Sequence, residues 1–316
     1  MKTLFLVIFL AAGAPLRDSL DIMFWNLENF FDYKNDSTSV SDADFSSRGI
    51  RRWTRKRFYA KCNAVAKGVL WASALKAEVP DVIGLAEIEN AFVLRRLTQA
   101  TVLRKLDYKI IHFDSPDRRG IDVALLYRGL TPLDSRAAHL YDADSTIMPT
   151  RDILVATFTG PKGDTVAFLV NHHPSKFGGA AESDARRNIA VERLRQLADS
   201  LQALGVQNII AMGDFNDTPE NPVFQKLEPT LGNKALQFHK KGYGTIKFAG
   251  KWELIDMFFV SPAIKNAEMD IIYIPFLQTP DKAATGTKPL RTYSGPRYMG
   301  GVSDHCPIWL RAPPTR

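Results

Sequence analysis

The feature that most constrains this chain is a long series of short apolar runs, several of which stop at a carboxylate, an amide or a histidine. The runs cover residues 20–25, 82–87, 109–113, 122–127, 153–159, 165–171, 208–212, 245–248, 253–260, 270–274 and 306–310. Their length and the turn residues between them predict strands. Apolar residues recur at helical intervals between charges over 54–77, 91–106 and 182–204, the last through Ile189, Leu194, Leu197 and Leu201. So many strands for so few helices disfavour a doubly wound βαβ fold and favour two stacked sheets with helices outside them. With 45% hydrophobic and 24% charged positions over 316 residues, the composition excludes a disordered or collagen-like chain.

Met1, Lys2 and Thr3, an apolar run over 4–12 and the small pair Gly13 and Ala14 follow the three-part layout of a secretory signal peptide. That run is well short of the roughly 20 residues that span a bilayer. The expectation is a leader over residues 1–14 and a single folded unit over 15–316. The mature chain is expected to be secreted or periplasmic, monomeric and without a membrane span. Cys62 and Cys306 are too few for a disulfide scaffold and match no zinc spacing, so buried free thiols are favoured over one bridge between them.

A net charge of +7 suits polyanionic partners such as nucleic acid, phospholipid headgroups or phosphorylated metabolites. Walker-type loops, dinucleotide fingerprints and Gly-x-Ser-x-Gly elbows are absent from the sequence, which sets aside nucleotide motors, dehydrogenases and serine hydrolases. What recurs instead is a polar residue where a strand stops. Asn26, Glu87, His172, Asp214 and Asn216 follow apolar runs, Asp256 sits inside one, and Asp304 and His305 precede one. A lone aspartate at a strand end is most often a turn former or cap. Asp256 differs, because a carboxylate in an apolar run must be paired to be buried.

If these strand ends converge on one edge, they build a cleft of carboxylate, amide and imidazole. Asp214 and Asn216 are two apart and share a side of an extended segment, a pairing that suits water activation and anion binding. A calcium loop starting at Asp214 fails, since Pro219 and Gln225 stand where it needs glycine and glutamate. His172 and His173 are adjacent, so a strand sends their rings to opposite faces and they do not share one zinc. Oxygen ligands without thiolates point to Mg2+, with Mn2+ as the alternative.

Taken together, Trp25-Asn26, Glu87 within 85–90, Gly213-Asp214-Phe215-Asn216-Asp217, Ile255-Asp256 and Ser303-Asp304-His305 resemble, in order and spacing, the endonuclease/exonuclease/phosphatase superfamily of metal-dependent phosphoesterases. The resemblance runs from about Leu20 to Leu310 and is closest to its exported bacterial branch, through segments 119–127, 171–175 and 250–256. It implies an α/β (α+β) four-layer sandwich, with two mixed β-sheets packed face to face, helices on both outer faces and the active site at one edge. It also implies roles. Glu87 would be the main metal ligand, with Asn26 and Asp304 completing or supporting the shell. Asp214 would orient or deprotonate the attacking water, and Asn216 would donate to a phosphate oxygen. His305, held by Asp256, would stabilise the transition state, with His172 as a second phosphate contact.

Two basic clusters bear on the substrate. Arg48, Arg51, Arg52, Arg55, Lys56 and Arg57 crowd one segment with Trp53 and Phe58 interleaved, and Lys288, Arg291, Tyr293, Arg297 and Tyr298 lie just before Asp304. Arg291, Tyr293, Arg297 and Asp122 are the candidate substrate contacts. The expected activity is a divalent-metal-dependent phosphodiester hydrolase, foremost a secreted nuclease acting on DNA or RNA. The alternatives are a phosphoesterase for a small phosphoester or a lipid headgroup, such as phosphorylated inositol or sphingomyelin, and a silent binding module. A lipid substrate would want an exposed apolar hairpin, for which 274–277 is a modest candidate.

Overall fold

Strand β1 (Leu20–Phe30) divides two cores by the two-residue period of a strand: Ile22 and Phe24 join one cluster, Met23 and Trp25 the other. The computed structural model describes residues 19–35, 39–160, 163–175 and 180–313, and the expected leader lies outside them. Val82–Ile88 (β2), Lys109–His112 (β3) and Asp122–Tyr127 (β4) belong to the same sheet as β1. The second sheet contains Thr131–Ala138 (β5), Ile153–Thr159 (β6), Thr165–His172 (β7), Asn208–Asp214 (β8), Gly232–Asn233 (β9) and Asp256–Val260 (β10). Glu268–Ile271 (β11) and Ile308–Ala312 (β12) return to the first. The strand orders are β11-β12-β1-β2-β4-β3 and β5-β6-β7-β8-β10-β9.

The alternation of β1 repeats in its neighbours. Val82, Ala86, Val123 and Leu125 face the second sheet's Met212 and Phe258 in the inner core. Ile83, Leu85, Ala124 and Leu126 face outward onto Phe58, Cys62 and Val65 of helix α1 (Arg55–Lys76) and Leu94 and Leu97 of helix α2 (Ala91–Gln99). Gly84 marks the close approach of the sheets, since a Cβ there would stand 2.8 Å from Met212 Sδ. Helix α3 (Ala180–Ala203) buries Val191, Leu194 and Leu201 with the second sheet. The expected four-layer sandwich is thus the fold.

Several details depart from the sequence reading. The edge strand β5 was not foreseen: its residues are largely exposed, so it carries no apolar pattern, and its ladder slips between Pro132 and Asp134. The helix expected over 91–106 breaks into α2 and a 3-10 turn at Val102–Leu106, capped by Thr101 Oγ1 on Leu103 N. The run 253–260 also splits, since Lys251–Glu253 forms a separate hairpin with Ile246–Phe248 before β10 begins. Residues 274–277 are no exposed hairpin, because Ile274 and Leu277 are buried. Cys62 and Cys306 are free and buried, and among the described residues no helix is long and apolar enough to cross a membrane.

Candidate active site

Two ladder irregularities aim the first group of side chains. Register slips between Asn26 and Phe30 on β1 and between Ala86 and Ile88 on β2. There Glu28, Asn29 and Glu87 take φ of 45°, 49° and 62°, a region that non-glycine residues seldom occupy. Such bulges re-aim side chains beside active sites. Glu87 Oε2 accepts from Asn29 N at 2.6 Å, and its Oε1 accepts from Asn26 Nδ2 at 3.3 Å. Asn26 Nδ2 also donates to Asp214 Oδ2 at 3.0 Å, while Glu28 N donates to Asn26 Oδ1 at 2.9 Å. One amide therefore bridges carboxylates of the two sheets, and a backbone N–H fixes its orientation. In this arrangement Asn26 holds Glu87 in place, and Glu28 N orients its Oδ1.

The second sheet contributes through parallel register. Asn171 stands opposite Gly213 and His172 opposite Asp214. A Cβ on Gly213 would lie 2.3 Å from Asn171 O, so this approach requires glycine. His172 Nε2 sits 3.6 Å from Asp214 Oδ2 and 3.9 Å from Glu87 Oε1. His173 packs away from them, edge-on to Phe215 with ring centroids 4.8 Å apart. Both its ring nitrogens are buried without a hydrogen-bond partner among the described residues. Strand parity thus makes His172 the histidine that faces the carboxylates.

Asp256 begins β10 directly opposite Asp214. Its Oδ2 accepts from His305 Nδ1 at 2.8 Å, which answers the pairing demanded of a carboxylate in an apolar run. His305 Nε2 is then turned to Asp214 Oδ2 and Asp304 Oδ1, each at 3.8 Å. The peptide around it is clamped. Ser303 Oγ donates to Asn26 O at 2.6 Å and accepts from His305 N at 2.9 Å, and Trp25 Nε1 donates to His305 O at 2.9 Å. Asn216, at φ 52°, donates its N–H to Asp214 Oδ1 at 2.9 Å and its Nδ2 to His173 O at 2.9 Å.

Burial and charge set the protonation states. Burial raises Asp214 to about 7, an effect that the His305 charge opposes and the Asp256 charge reinforces. Burial works against charge on His305, but Asp256 and Asp214 outweigh it and hold the imidazolium well above its ordinary range. His172 is kept neutral by burial first and then by the Arg151 and Arg119 charges. Burial likewise lowers His173, to about 3. The cleft thus sets a proton-holding imidazole beside a carboxylate poised near neutrality.

Asp214, Asp256 and His305 each bring one ligand atom within 4.8 Å of the others, and Asn26 links Glu87 to Asp214. Asp256 holds the His305 imidazole in its charged form, so the donors here that suit a divalent cation of the magnesium or manganese type are carboxylate oxygens, those of Glu87 and Asp304 among them. Asp304 is about one-third exposed, and its Oδ2 lies 3.0 Å from Arg291 Nη2. Arg291 Nε donates to Glu28 Oε1 at 2.9 Å, so one guanidinium joins two carboxylates at the rim.

Other candidates lie differently. Asp122 gives Oδ1 to Ser115 N at 2.9 Å and Oδ2 to His112 Nε2 at 3.1 Å, bracing the loop after β3. Tyr293 is buried and donates its hydroxyl to Arg51 O at 2.8 Å, while Arg297 is exposed on the hairpin that Tyr293–Ser294 forms with Arg297–Tyr298. Trp53 and Phe58, expected to interleave with cations, belong to the core. Arg51 and Arg57 lie over the rings of Tyr293 and Tyr298, at 5.3 and 4.3 Å from the centroids. Arg48, Arg52, Arg55 and Lys56 are exposed.

Arg151 joins the site from outside the set of strand-end residues. Its buried guanidinium donates to His172 O at 3.2 Å, His173 O at 2.6 Å and Asp117 Oδ2 at 3.0 Å, fixing the end of β7. The only signal was a cation just before an apolar strand. Its neighbour Asp152 lies 2.9 Å from His139 Nδ1.

The sequence profile of the Endonuclease/Exonuclease/phosphatase family matches residues 21–312. No curated protein matches the chain closely enough to count as a relative. Among solved structures, truncated TDP2 from Caenorhabditis elegans is similar at a TM-score of 0.59 and 14% identity, covering 94% of this chain and 98% of that one. The human Nocturnin catalytic domain with a bound sulfate gives 0.54 and 17%, over 95% and 96% of the two chains. The mannosyl-6-phosphatase Bt3783 of Bacteroides thetaiotaomicron gives 0.57 and 16%, over 93% and 99%. At these identities the likeness is one of fold.

Proposed function

Because the chain belongs to the endonuclease/exonuclease/phosphatase family, we propose that it is a secreted or periplasmic phosphodiester hydrolase, foremost a nuclease acting on DNA or RNA. The observation that carries this reading is the convergence of Glu87, Asp214, Asp256 and His305 at one edge of two sheets. Glu87, steadied by Asn26 and Asn29, and Asp304 are the residues that would hold magnesium or manganese. Bound there, the ion would offset charge on the phosphoryl oxygens. Asp214 takes a proton from the attacking water, a task that suits a carboxyl near 7. His305 presents a charged N–H at Nε2 to the oxygen that gains charge, and Asp256 keeps it from turning. His172 and Asn216 flank this pair as contacts for the remaining phosphoryl oxygens.

The nucleic-acid preference rests on the exposed cations Arg48, Arg52, Arg55, Lys56 and Arg297, with Arg291 beside Asp304 at the site itself. A second reading, hydrolysis of a small phosphoester, is favoured by one observation. Arg51 and Arg57 are partly spent inside the structure, on tyrosine rings and on backbone carbonyls. Among the similar folds, one solved structure is named a mannosyl-6-phosphatase and another is described with a single-strand DNA product. Parallel incubation with plasmid DNA, single-stranded RNA, sphingomyelin and a phosphorylated inositol separates these readings. Nucleic-acid cleavage that declines steeply with salt supports the first. Turnover of a small substrate or lipid alone overturns it in favour of the second.

A further inference from the structure

The fully buried Lys61 has no part in the chemistry proposed above. It lies on the inward face of α1 among Phe58, Cys62 and Val65, where an apolar side chain would be easier to bury. Its Nζ donates to Glu28 O at 2.7 Å and to Thr292 Oγ1 at 2.8 Å, with the rings of Phe30 and Trp53 at 5.1 and 5.9 Å. Thr292 Oγ1 passes the connection on to Val302 O at 2.9 Å, and Thr292 N returns to Glu28 Oε2 at 2.7 Å.

Three segments distant in sequence meet at this ammonium. One is the bulged end of β1, which carries Asn26 and turns Asn29 N onto Glu87. The second brings Arg291 to Asp304 and Glu28. The third runs from Val302 into Ser303, Asp304 and His305. We infer that Lys61 is a positioning residue for the divalent-cation site, acting through Glu28 and Thr292 to set Glu87 and Asp304 at the spacing a cation needs. The inference rests on the reading of Glu87 and Asp304 as cation-holding groups.

Two effects oppose each other when Lys61 is removed, and they differ in sign. Loss of the tie loosens the carboxylates and weakens cation binding. Loss of a buried positive charge near Glu87 and Asp304 strengthens it. A positioning role requires the first to win. Outer partners of metal ligands are commonly worth 10–100-fold in metal affinity or activity.

The test is calorimetric titration of the purified full-length protein with MnCl2 and MgCl2, without substrate, for wild type, Lys61→Met and Thr292→Val. Thr292→Val keeps the charge and removes one bond, so it also carries the test if Lys61→Met does not fold. Circular dichroism and urea denaturation monitor folding. Weaker binding in both variants, on the order of 10–100-fold for Lys61→Met and less for Thr292→Val, is expected. Tighter binding in Lys61→Met, or affinities unchanged in a folded variant, overturns the positioning role while leaving the cation site intact. Wild-type protein that binds neither ion overturns the site and this role together.

Discussion

His172 and Asp214 end adjacent parallel strands in the same register, which sets His172 Nε2 3.6 Å from Asp214 Oδ2. The register holds because Gly213 lets Asn171 O approach to a distance that no Cβ permits. Gly213→Ala therefore destabilises the protein by about 1–3 kcal/mol through overpacking. It also lowers kcat, because the strand must shift to admit the methyl. Urea denaturation and steady-state kinetics on one preparation check both effects.

Asp256 holds His305 by Nδ1 and thereby decides which nitrogen faces the cleft. Asp256→Asn keeps the shape and removes the charge that favours imidazolium. A fall in kcat on the order of 10²–10⁴ with little change in KM is expected, the range spanned by general acid–base groups. Kinetics on a chromogenic phosphodiester at saturating Mg2+ measure it. An unchanged kcat in a folded variant contradicts the role.

His172 and His173, the two histidines that burial keeps neutral, give the stability a pH dependence of known sign. His173 has a native pKa lowered to about 3, so below its unfolded value of 6.5 the unfolded chain binds a proton that the native chain refuses. Its contribution is complete above about 6.5 and is lost as pH falls toward 3, with a slope approaching about 1.4 kcal/mol per pH unit. His172 acts in the same direction. His173→Phe retains an aromatic edge against Phe215 and should flatten the melting temperature between pH 6.5 and 4. Thermal melts across that window decide the matter, and parallel curves for wild type and variant go against it.

Arg151 forks onto the carbonyls of both histidines and onto Asp117. Lysine supplies the charge without the planar fork. Arg151→Lys should lower kcat by about 10²-fold, the effect of misplacing a reacting group by roughly 1 Å. Kinetics and circular dichroism on the variant test whether the loss comes without unfolding.

Much of the site was legible in the sequence because a strand end is a local signal. Asn26, Glu87, Asp214, Asp256 and His305 each sit at or within an apolar run, and parity along β7 then selects His172 over His173. The bulge at Glu87 was not legible, since a left-handed φ leaves no trace in a glutamate. Arg151 and Lys61 escaped for a related reason. A buried cation is recognisable only by its acceptors, and these are backbone carbonyls, a carboxylate and a hydroxyl from distant segments. The edge strand β5 escaped because its residues face water and its pairing needs only backbone.

If one edge of the sandwich hydrolyses phosphodiesters with a divalent cation through Glu87, Asp214 and His305, turnover requires both the ion and the His305 imidazole. The most direct test follows phosphodiester hydrolysis by purified wild type and His305→Ala, each with Mg2+ and with excess EDTA. Turnover is expected only in wild type with Mg2+, with His305→Ala folded but nearly inactive. Hydrolysis that persists in EDTA, or that survives loss of the His305 imidazole, contradicts it.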